Sequence, residues 1–496
     1  MTQPSQPGLL HSFPKVFWVA NIMELFERAA YYGMNSVLAV YLTNSLQNGG
    51  LGFSEDSVGF LQSLVYALTY VVPILGGALA DHYGYRRMLM VAFSFLTTGY
   101  FITGNMSSYG AVFASLLVMA TGAGLFKPII SGTIARTTNE QNSGFGFGIY
   151  YWMINLGAFL APLVVSYLKG FSWSYVFTAS ALYTGLMLLP TVFIFRDPPK
   201  PESTKKLKEA LGGMALVLCD ARFMLMIVVY SCFWILYFQN FGTVLWFLRD
   251  FVNKTPVNEA FAAIGISFSF DAEHVTVINA GTIILLQVLV SRIVKDVKAL
   301  PTMVAGILLG AVGFICLAYA STAWLFILGI AVFSIGEMTA HPKYYSYIGL
   351  VAPSDKKAVY MGYAFLYGVI GSLVGSNLGG EMYNSMLKPL LGQSGIESEL
   401  RNFWLIFAAL GFVTALGLIA YNHFFSADTP ETNRRARTIM INVYLLLTAL
   451  GCWFFYKSVF AGNTVVYRTM VQAVIMLVIG SGGLVISLKT NRPATT

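Results

Sequence analysis

The chain has 496 residues, of which 56% are apolar and only 10% charged. A soluble domain usually carries about 25% charge, so this composition excludes an ordinary water-soluble fold and points to a bilayer. The net charge of +8 does not imply nucleic acid, because the cytoplasmic loops of membrane proteins collect Lys and Arg.

Apolar stretches long enough to span, roughly 20 residues each, recur along the whole sequence. They predict fourteen helical spans at 14–43, 56–80, 86–105, 110–134, 144–168, 174–195, 222–248, 275–293, 301–320, 323–350, 358–385, 402–424, 438–457 and 466–488. No cleavable signal pattern is expected at the start, since His11 and Lys15 lead directly into the first span. Basic residues cluster on one side: Arg86 and Arg87 after span 2, 196–208 after span 6, Arg292, Lys295 and Lys298 after span 8, and Arg434, Arg435 and Arg437 after span 12. The opposite loops hold only Lys169, Arg249, Lys254, Lys388, Arg401, Lys457 and Arg468. This asymmetry predicts a multi-pass protein of the plasma (inner) membrane with both termini cytoplasmic.

The charged run RDPPKPESTKKLK follows span 6 and reads as a hinge. Residues 211–219 are too few to span and either lie on the membrane surface or extend span 7. The domain expectation is a six-helix bundle over 1–195, a cytoplasmic linker over 196–221 and a second bundle over 222–424. A basic cytoplasmic linker over 425–437 then leads to two extra spans and a tail over 438–496. Paired six-helix halves are a transporter arrangement, with substrate held between them near the midplane.

Ionisable residues inside a bilayer cost about 2.5–3.5 kcal/mol each on insertion scales, so they mark cavities and function. In span 1, NIMELFERAAYYGMNSVL places Glu24, Glu27, Arg28 and Tyr31 on one helical face. Two carboxylates beside one arginine titrate as a group: Arg28 holds one ionised while the other takes a proton. A purely structural ion-pair network is the bland alternative. Lys127 in GLFKP of span 4 needs an anion, which is either Glu24 or Glu27, a substrate carboxylate, or each in turn. Glu337 in SIGEMTAHPKYY of span 10 has no obvious cation at its depth and suits an amino group or a proton. His341 and Lys343 lie further toward the cytoplasm, where His341 reads as packed or gate-lining. Asn155 and Asn279 are candidates for substrate hydrogen bonds, with helix–helix glue as the alternative. Tyr31, Tyr32, Tyr70, Tyr151 and Trp234 would line a pocket. The pairs Gly76–Gly77 and Gly379–Gly380 permit close helix packing.

The four cysteines, Cys219, Cys232, Cys316 and Cys452, stand singly and indicate neither disulfides nor metal. GFGFG at 144–148 is no dinucleotide fingerprint, because no strand precedes it. No P-loop, zinc spacing or serine elbow is present, so an ATP-driven pump and an enzyme are both disfavoured.

Several motifs together carry a resemblance. GALADHYGYRR (77–87) resembles the loop motif between spans 2 and 3 of the major facilitator superfamily. ELFERAAYYG (24–33) resembles the signature of its proton-dependent oligopeptide transporter family, as do GLFKP, FGIYYWMINLGA and GEM…HP…LVAP in spans 4, 5 and 10. The resemblance covers spans 1 to 12. It implies the two-bundle fold of that superfamily and proton-coupled import of di- and tripeptides by alternating access, driven by the proton gradient with no cofactor. It implies that Glu24, Glu27 and Arg28 couple protons, with Lys127 and Glu337. It further implies that Lys127 meets the peptide carboxylate, that Asn155, Asn279 and Glu337 hold its amino end, and that Tyr31, Tyr32, Tyr70 and Trp234 complete the pocket, to which Tyr151 and Asn35 are added as expected substrate-binding residues.

Three positions depart from the pattern. Asn35 stands where arginine is frequent, Phe238 where span 7 carries an acid, and Ala364 where span 11 carries tryptophan. The first two positions can pair at an outer gate, and their joint loss is coordinated, since one unpaired charge would be worse than none. The competing expectations are a transporter of the same fold for another small substrate, such as an amino acid or peptide-like metabolite, and a transport-inactive membrane receptor. The partners expected are short peptides, protons and the lipid bilayer, with no nucleic acid.

Overall fold

The computed structural model describes residues 13–139, 142–198, 217–353, 357–460 and 466–489. Helices occupy all fourteen expected positions. Spans 1 to 5 are Lys15–Thr43, Glu55–Tyr83, Tyr85–Thr103, Tyr109–Arg136 and Ser143–Leu168. Span 6 is Trp173–Leu186 continued by Leu188–Phe193, and span 7 is Ala221–Phe238 continued by Thr243–Asp250. Spans 8 to 10 are Glu273–Val294, Ala299–Ala318 and Ala323–Val351. Span 11 is Lys357–Tyr363 followed by Leu366–Met382, and spans 12 to 14 are Glu397–Phe425, Pro430–Val459 and Tyr467–Lys489. Among the described residues, 11 helices are long and apolar enough to cross a membrane. The three that fall short are span 1 with its Glu24–Glu27–Arg28 group, span 3 at 19 residues and the 17-residue main piece of span 11. Among the described residues the β-structure is a single isolated bridge, Asn253 to Thr322.

A bilayer offers the backbone no hydrogen bonds, so apolar runs of this length become helices and break only beside protein or a cavity. Span 7 breaks at Gln239–Phe241, where Gln239 donates back to its own Ile235 carbonyl and across to Gly375 of span 11. Span 11 breaks at Ala364–Phe365, and the Tyr344 hydroxyl donates to the Ala364 carbonyl at 2.7 Å.

Span 1 packs on spans 5 and 6, span 3 on span 4, and span 2 on span 4. In the second half, span 9 packs on spans 10 and 12, and span 7 on spans 11 and 12. The halves meet where span 2 lies on span 11 and span 5 on span 8. At the end bearing Lys15, the loop motif knits the first half together. Asp81 pairs with Arg136 at 2.7 Å, the Arg86 amide donates to Asp197 at 2.6 Å, and Gly84 adopts φ 93 against Asp197. A side chain at Gly84 would be strained by that φ and would also meet the carboxylate.

One domain boundary is corrected. The basic run expected as a linker over 425–437 is largely helical, because span 13 begins at Pro430. Thr429 caps it reciprocally with Thr432, and Pro430 sits at the first helical position, where its missing N–H costs nothing. The RRAR run therefore lies on the first turns of span 13. Most of the linker expected over 196–221, and of the segment 211–219, lies outside the described residues.

Candidate functional site

The first-half charges converge as the helical spacing predicts. Arg28 Nε donates to Glu27 at 2.6 Å, a second guanidinium nitrogen closes on the same carboxylate, and Glu24 stands at 3.4 Å from Arg28 Nε. All three side chains are almost wholly buried. Glu24 Oε2 and Glu27 Oε1 have no hydrogen-bond partner among the described residues. The guanidinium lies 5.1 Å from the Tyr31 ring and 5.9 Å from the Tyr32 ring, within cation–π range.

Lys127 makes no ion pair with Glu24 or Glu27 among the described residues. Its ammonium lies instead 5.2 Å from the centre of the Tyr70 ring. Of the readings open for Lys127, the permanent partner of a span-1 carboxylate is not the one this arrangement displays. The cation is left with a π face and no anion.

In the second half, Asn279 donates from one amide nitrogen to Glu337 at 3.0 Å and to Ser334 at 2.9 Å. No cation lies within ion-pair distance of Glu337 among the described residues. One helical turn along, His341 Nδ1 lies 3.2 Å from the Tyr230 hydroxyl, and its ring packs edge-on to Trp234, Tyr345 and Tyr367. Tyr70 reaches over from the first half to touch Trp234, Tyr367 and Phe238. Tyr32 and Asn279 line one small cavity together with Tyr237, Asn240, Phe241, Val275 and Thr276. The first-half group, Glu24, Glu27, Arg28, Tyr31 and Lys127, thus gathers about Tyr32 and Tyr70, which meet Asn279 and Trp234 of the second half.

Other expected residues sit differently. Asn155 is buried and gives its amide to the Tyr151 carbonyl at 2.9 Å, while the Tyr151 side chain is exposed. Asn35, expected among the pocket residues, is fully buried and its Oδ1 accepts the Tyr66 hydroxyl at 2.6 Å. It belongs to a closed gate, because Tyr66 stacks on Phe238 at 5.3 Å and Gln62 donates both to Tyr66 and to the Phe241 carbonyl of the other half. The two positions with missing charges therefore share one neutral partner, Tyr66. Sequence reasoning passed over Gln62 and Tyr66, although they stand two turns and one turn before Tyr70 on the same face of span 2.

The end opposite Lys15, here the outer end, is shut by ion pairs between halves. Lys169 pairs with Asp271 at 2.6 Å and Glu273 at 2.8 Å. Glu55 takes Lys388 at 2.6 Å and Arg249 at 3.4 Å, and Arg249 also donates to Thr43 at 2.7 Å. Span 2 and span 11 touch through glycine: a Cβ on Gly380 would lie 2.5 Å from the Glu55 carbonyl oxygen. The polar contacts between halves that the described residues show all lie from Gln62 outward.

An uncharacterized transporter of Bacillus subtilis (strain 168) is 33% identical over 183 residues, 36% of this chain and 37% of the relative. A di-/tripeptide transporter of Lactococcus lactis subsp. lactis (strain IL1403) is 29% identical over 266 residues, 50% of this chain and 49% of the relative. The chain thus spans about half or less of the length of the curated relatives it matches. Among solved structures, a peptide transporter of the POT family in complex with sulfate superposes with a TM-score of 0.70 at 19% identity, covering 85% of this chain and 95% of that one. A POT family transporter in complex with 5-aminolevulinic acid gives 0.67 at 20% identity, covering 83% and 98%. The family profile that matches, over residues 21–376, is that of the Major Facilitator Superfamily, and the chain belongs to this family of multi-pass membrane transporters.

Proposed function

We propose that the chain is a proton-coupled symporter of the proton-dependent oligopeptide transporter family that imports di- and tripeptides by alternating access. The observation that carries the reading is a set of incompletely partnered charges within the spans of the two halves. Among the described residues Lys127 has no carboxylate, Glu337 has no cation, and Glu24 and Glu27 each keep an oxygen without a hydrogen bond. A peptide's carboxylate would satisfy the first and its ammonium the second, while protons satisfy the third. The relatives named di-/tripeptide transporters support the same substrate class.

The geometry supports one coupling step. With both span-1 acids ionised, Arg28 leans on Glu27 and holds Glu24 loosely. A proton arriving at one of the two acids cancels its pairing, and the guanidinium re-pairs with the other. The proton then leaves from the side that is open. The structure is closed at its outer end, which by the charge asymmetry of the loops is the extracellular one, with both termini cytoplasmic. This is the inward-facing limb of the cycle in a plasma (inner) membrane protein.

The second reading is a single small zwitterion in place of a peptide. The solved relative holding 5-aminolevulinic acid favours it, since that ligand also carries an amine and a carboxylate. Uptake of labelled dialanine into proteoliposomes, with and without an inward proton gradient, decides. Gradient-driven accumulation competed by dipeptides and not by free amino acids establishes the peptide reading. Competition by single amino acids alone moves it to the smaller zwitterion, and no uptake by folded protein of either class overturns both.

A further inference from the structure

Spans 13 and 14 lie outside the two bundles, and nothing in the coupling step uses them. They form a tight antiparallel pair: a Cβ on Gly480 would lie 2.5 Å from the Thr448 hydroxyl, and one on Gly483 would lie 2.4 Å from the Tyr444 ring. Arg437 closes their cytoplasmic end by donating to the Ser487 carbonyl at 2.7 Å. The pair is docked on the second half, with span 13 against span 7. Gln472 of span 14 donates to Asn377 of span 11 at 2.7 Å, and Arg468 bonds Glu381 of span 11 at 3.2 Å.

Arg468 also crosses to the first half, where its other terminal nitrogen pairs with Asp56 in the opening turn of span 2. Asp56 adjoins Glu55, the residue that receives Lys388 and Arg249. It is also three residues before Gly59, which abuts Ser376 and Gly380 of span 11. Opening the outer mouth must draw this end of span 2 away from span 11, and so away from Arg468.

We infer that Arg468 is a positioning residue of the transport cycle, and that the last two helices form a strap holding the outer ends of the halves together through the Arg468–Asp56 pair. The inference rests on the alternating-access reading. The arrangement is suited to reversible release. When span 2 departs, the guanidinium keeps Glu381 as counterion on its own half, so no cation is stranded and the strap can re-engage. Both members of the crossing pair are partly exposed, 27% for Arg468 and 18% for Asp56. A pair of this exposure is a modest restraint, able to shift a two-state equilibrium by about fivefold and not to lock it.

The test is a distance across the outer mouth. Spin labels at Asn105, beyond span 3, and Ser398, opening span 12, report on the two halves from exposed positions clear of the ion pairs, in a background whose four cysteines are replaced by alanine. Pulsed electron paramagnetic resonance on reconstituted protein is expected to show the open-mouth fraction rising about fivefold in Arg468→Gln, and equally in Asp56→Asn. The double variant should add nothing further, Arg468→Lys should restore most of the closed population, and Glu381→Gln should stay near wild type. Dialanine uptake by Arg468→Gln should change in KM more than in maximal rate. A distribution unchanged in folded Arg468→Gln overturns the inference, as does Glu381→Gln opening the mouth equally. The distance needs neither substrate nor gradient, so failure of the strap is distinguishable from failure of the peptide reading.

Discussion

Lys127 and Lys169 are the same residue in two regions of one molecule, and they are treated oppositely. Lys169, at the outer mouth, is gripped by Asp271 and Glu273. Lys127, at mid-membrane, has an aromatic face and, among the described residues, no carboxylate. Glu55 and Glu337 repeat the contrast: the mouth carboxylate takes two cations, and the cavity carboxylate takes an amide. Charges that close the protein are saturated by the protein. Charges proposed to act on substrate and protons are left short of partners among the described residues, which is costly in a bilayer and is kept where a ligand completes the set.

The largest effect that would sharpen this contrast is at span 1. Glu27→Gln removes the acid that holds Arg28 most closely, and breaking a buried pair costs about 3–5 kcal/mol. Proton-driven accumulation of dialanine should fall by about 100-fold or more, while counterflow exchange with equal peptide on both sides persists. Normal accumulation by this variant would make the span-1 cluster as structural as the mouth.

Lys127→Ala comes next. A charge-assisted hydrogen bond to a peptide carboxylate is worth about 1.5–3 kcal/mol, so KM for dialanine should rise about 30-fold. Dialanine amide, which has no carboxylate to lose, should change less than about threefold. Equal losses for acid and amide would show that Lys127 finds its anion within the protein, as Lys169 does.

A smaller effect belongs to the neutral gate between the two regions. Tyr66→Phe keeps the stack on Phe238 and deletes the hydroxyl that Asn35 accepts and Gln62 donates to. A buried amide left short of a partner costs about 1–3 kcal/mol. The fraction of open outer mouth should therefore rise about tenfold by the same spin-label distance, with a lower Tm. A closed mouth unaltered by this change would leave the outer ion pairs as the whole of the closure.

These regions were unequally legible in the sequence. The cavity charges announced themselves because a lysine or glutamate inside twenty apolar residues has few explanations, and because Glu24, Glu27 and Arg28 share a face through local helical spacing. The mouth was illegible for the opposite reason. Lys169, Arg249, Lys254, Lys388 and Arg468 read as ordinary loop cations, and their acids stand up to hundreds of residues away, as Asp56 does from Arg468. Pairing of that kind depends on how whole helices dock. The paired loss of charge at Asn35 and Phe238 was visible, but its replacement by Tyr66 needed span 2 set beside spans 1 and 7. Likewise the RRAR run read as linker because charge outweighed the Thr429 cap in the pattern.

The smallest expected effect is none, and it tests the contrast from the mouth. Burial by itself would raise the Asp271 carboxyl, but Lys169 and Lys254 outweigh it and hold Asp271 at about 2. A carboxyl depressed below its usual value near 4 contributes its full share of closure above about pH 4 and loses it only as the pH falls from there toward 2. Burial would lower Lys169, yet Glu273 and Asp271 raise it above its ordinary range, so its contribution persists below about pH 10 and fades only above that. His274 beside them holds Nδ1 at 3.1 Å from the Asp271 amide and 3.3 Å from the Asp271 carbonyl. Between pH 8 and pH 5 the Lys169–Asp271 pair is therefore constant, and the pH dependence of the mouth is expected to come from the acids within the spans. In the Glu24→Gln, Glu27→Gln, Glu337→Gln triple variant the mouth distance should be flat across that range, while Asp271→Asn in the native background should shift the open fraction at every pH without moving its midpoint. A midpoint that survives in the triple variant and disappears with Asp271→Asn or His274→Gln would place proton sensing at the mouth and erase the division of labour between the two lysines.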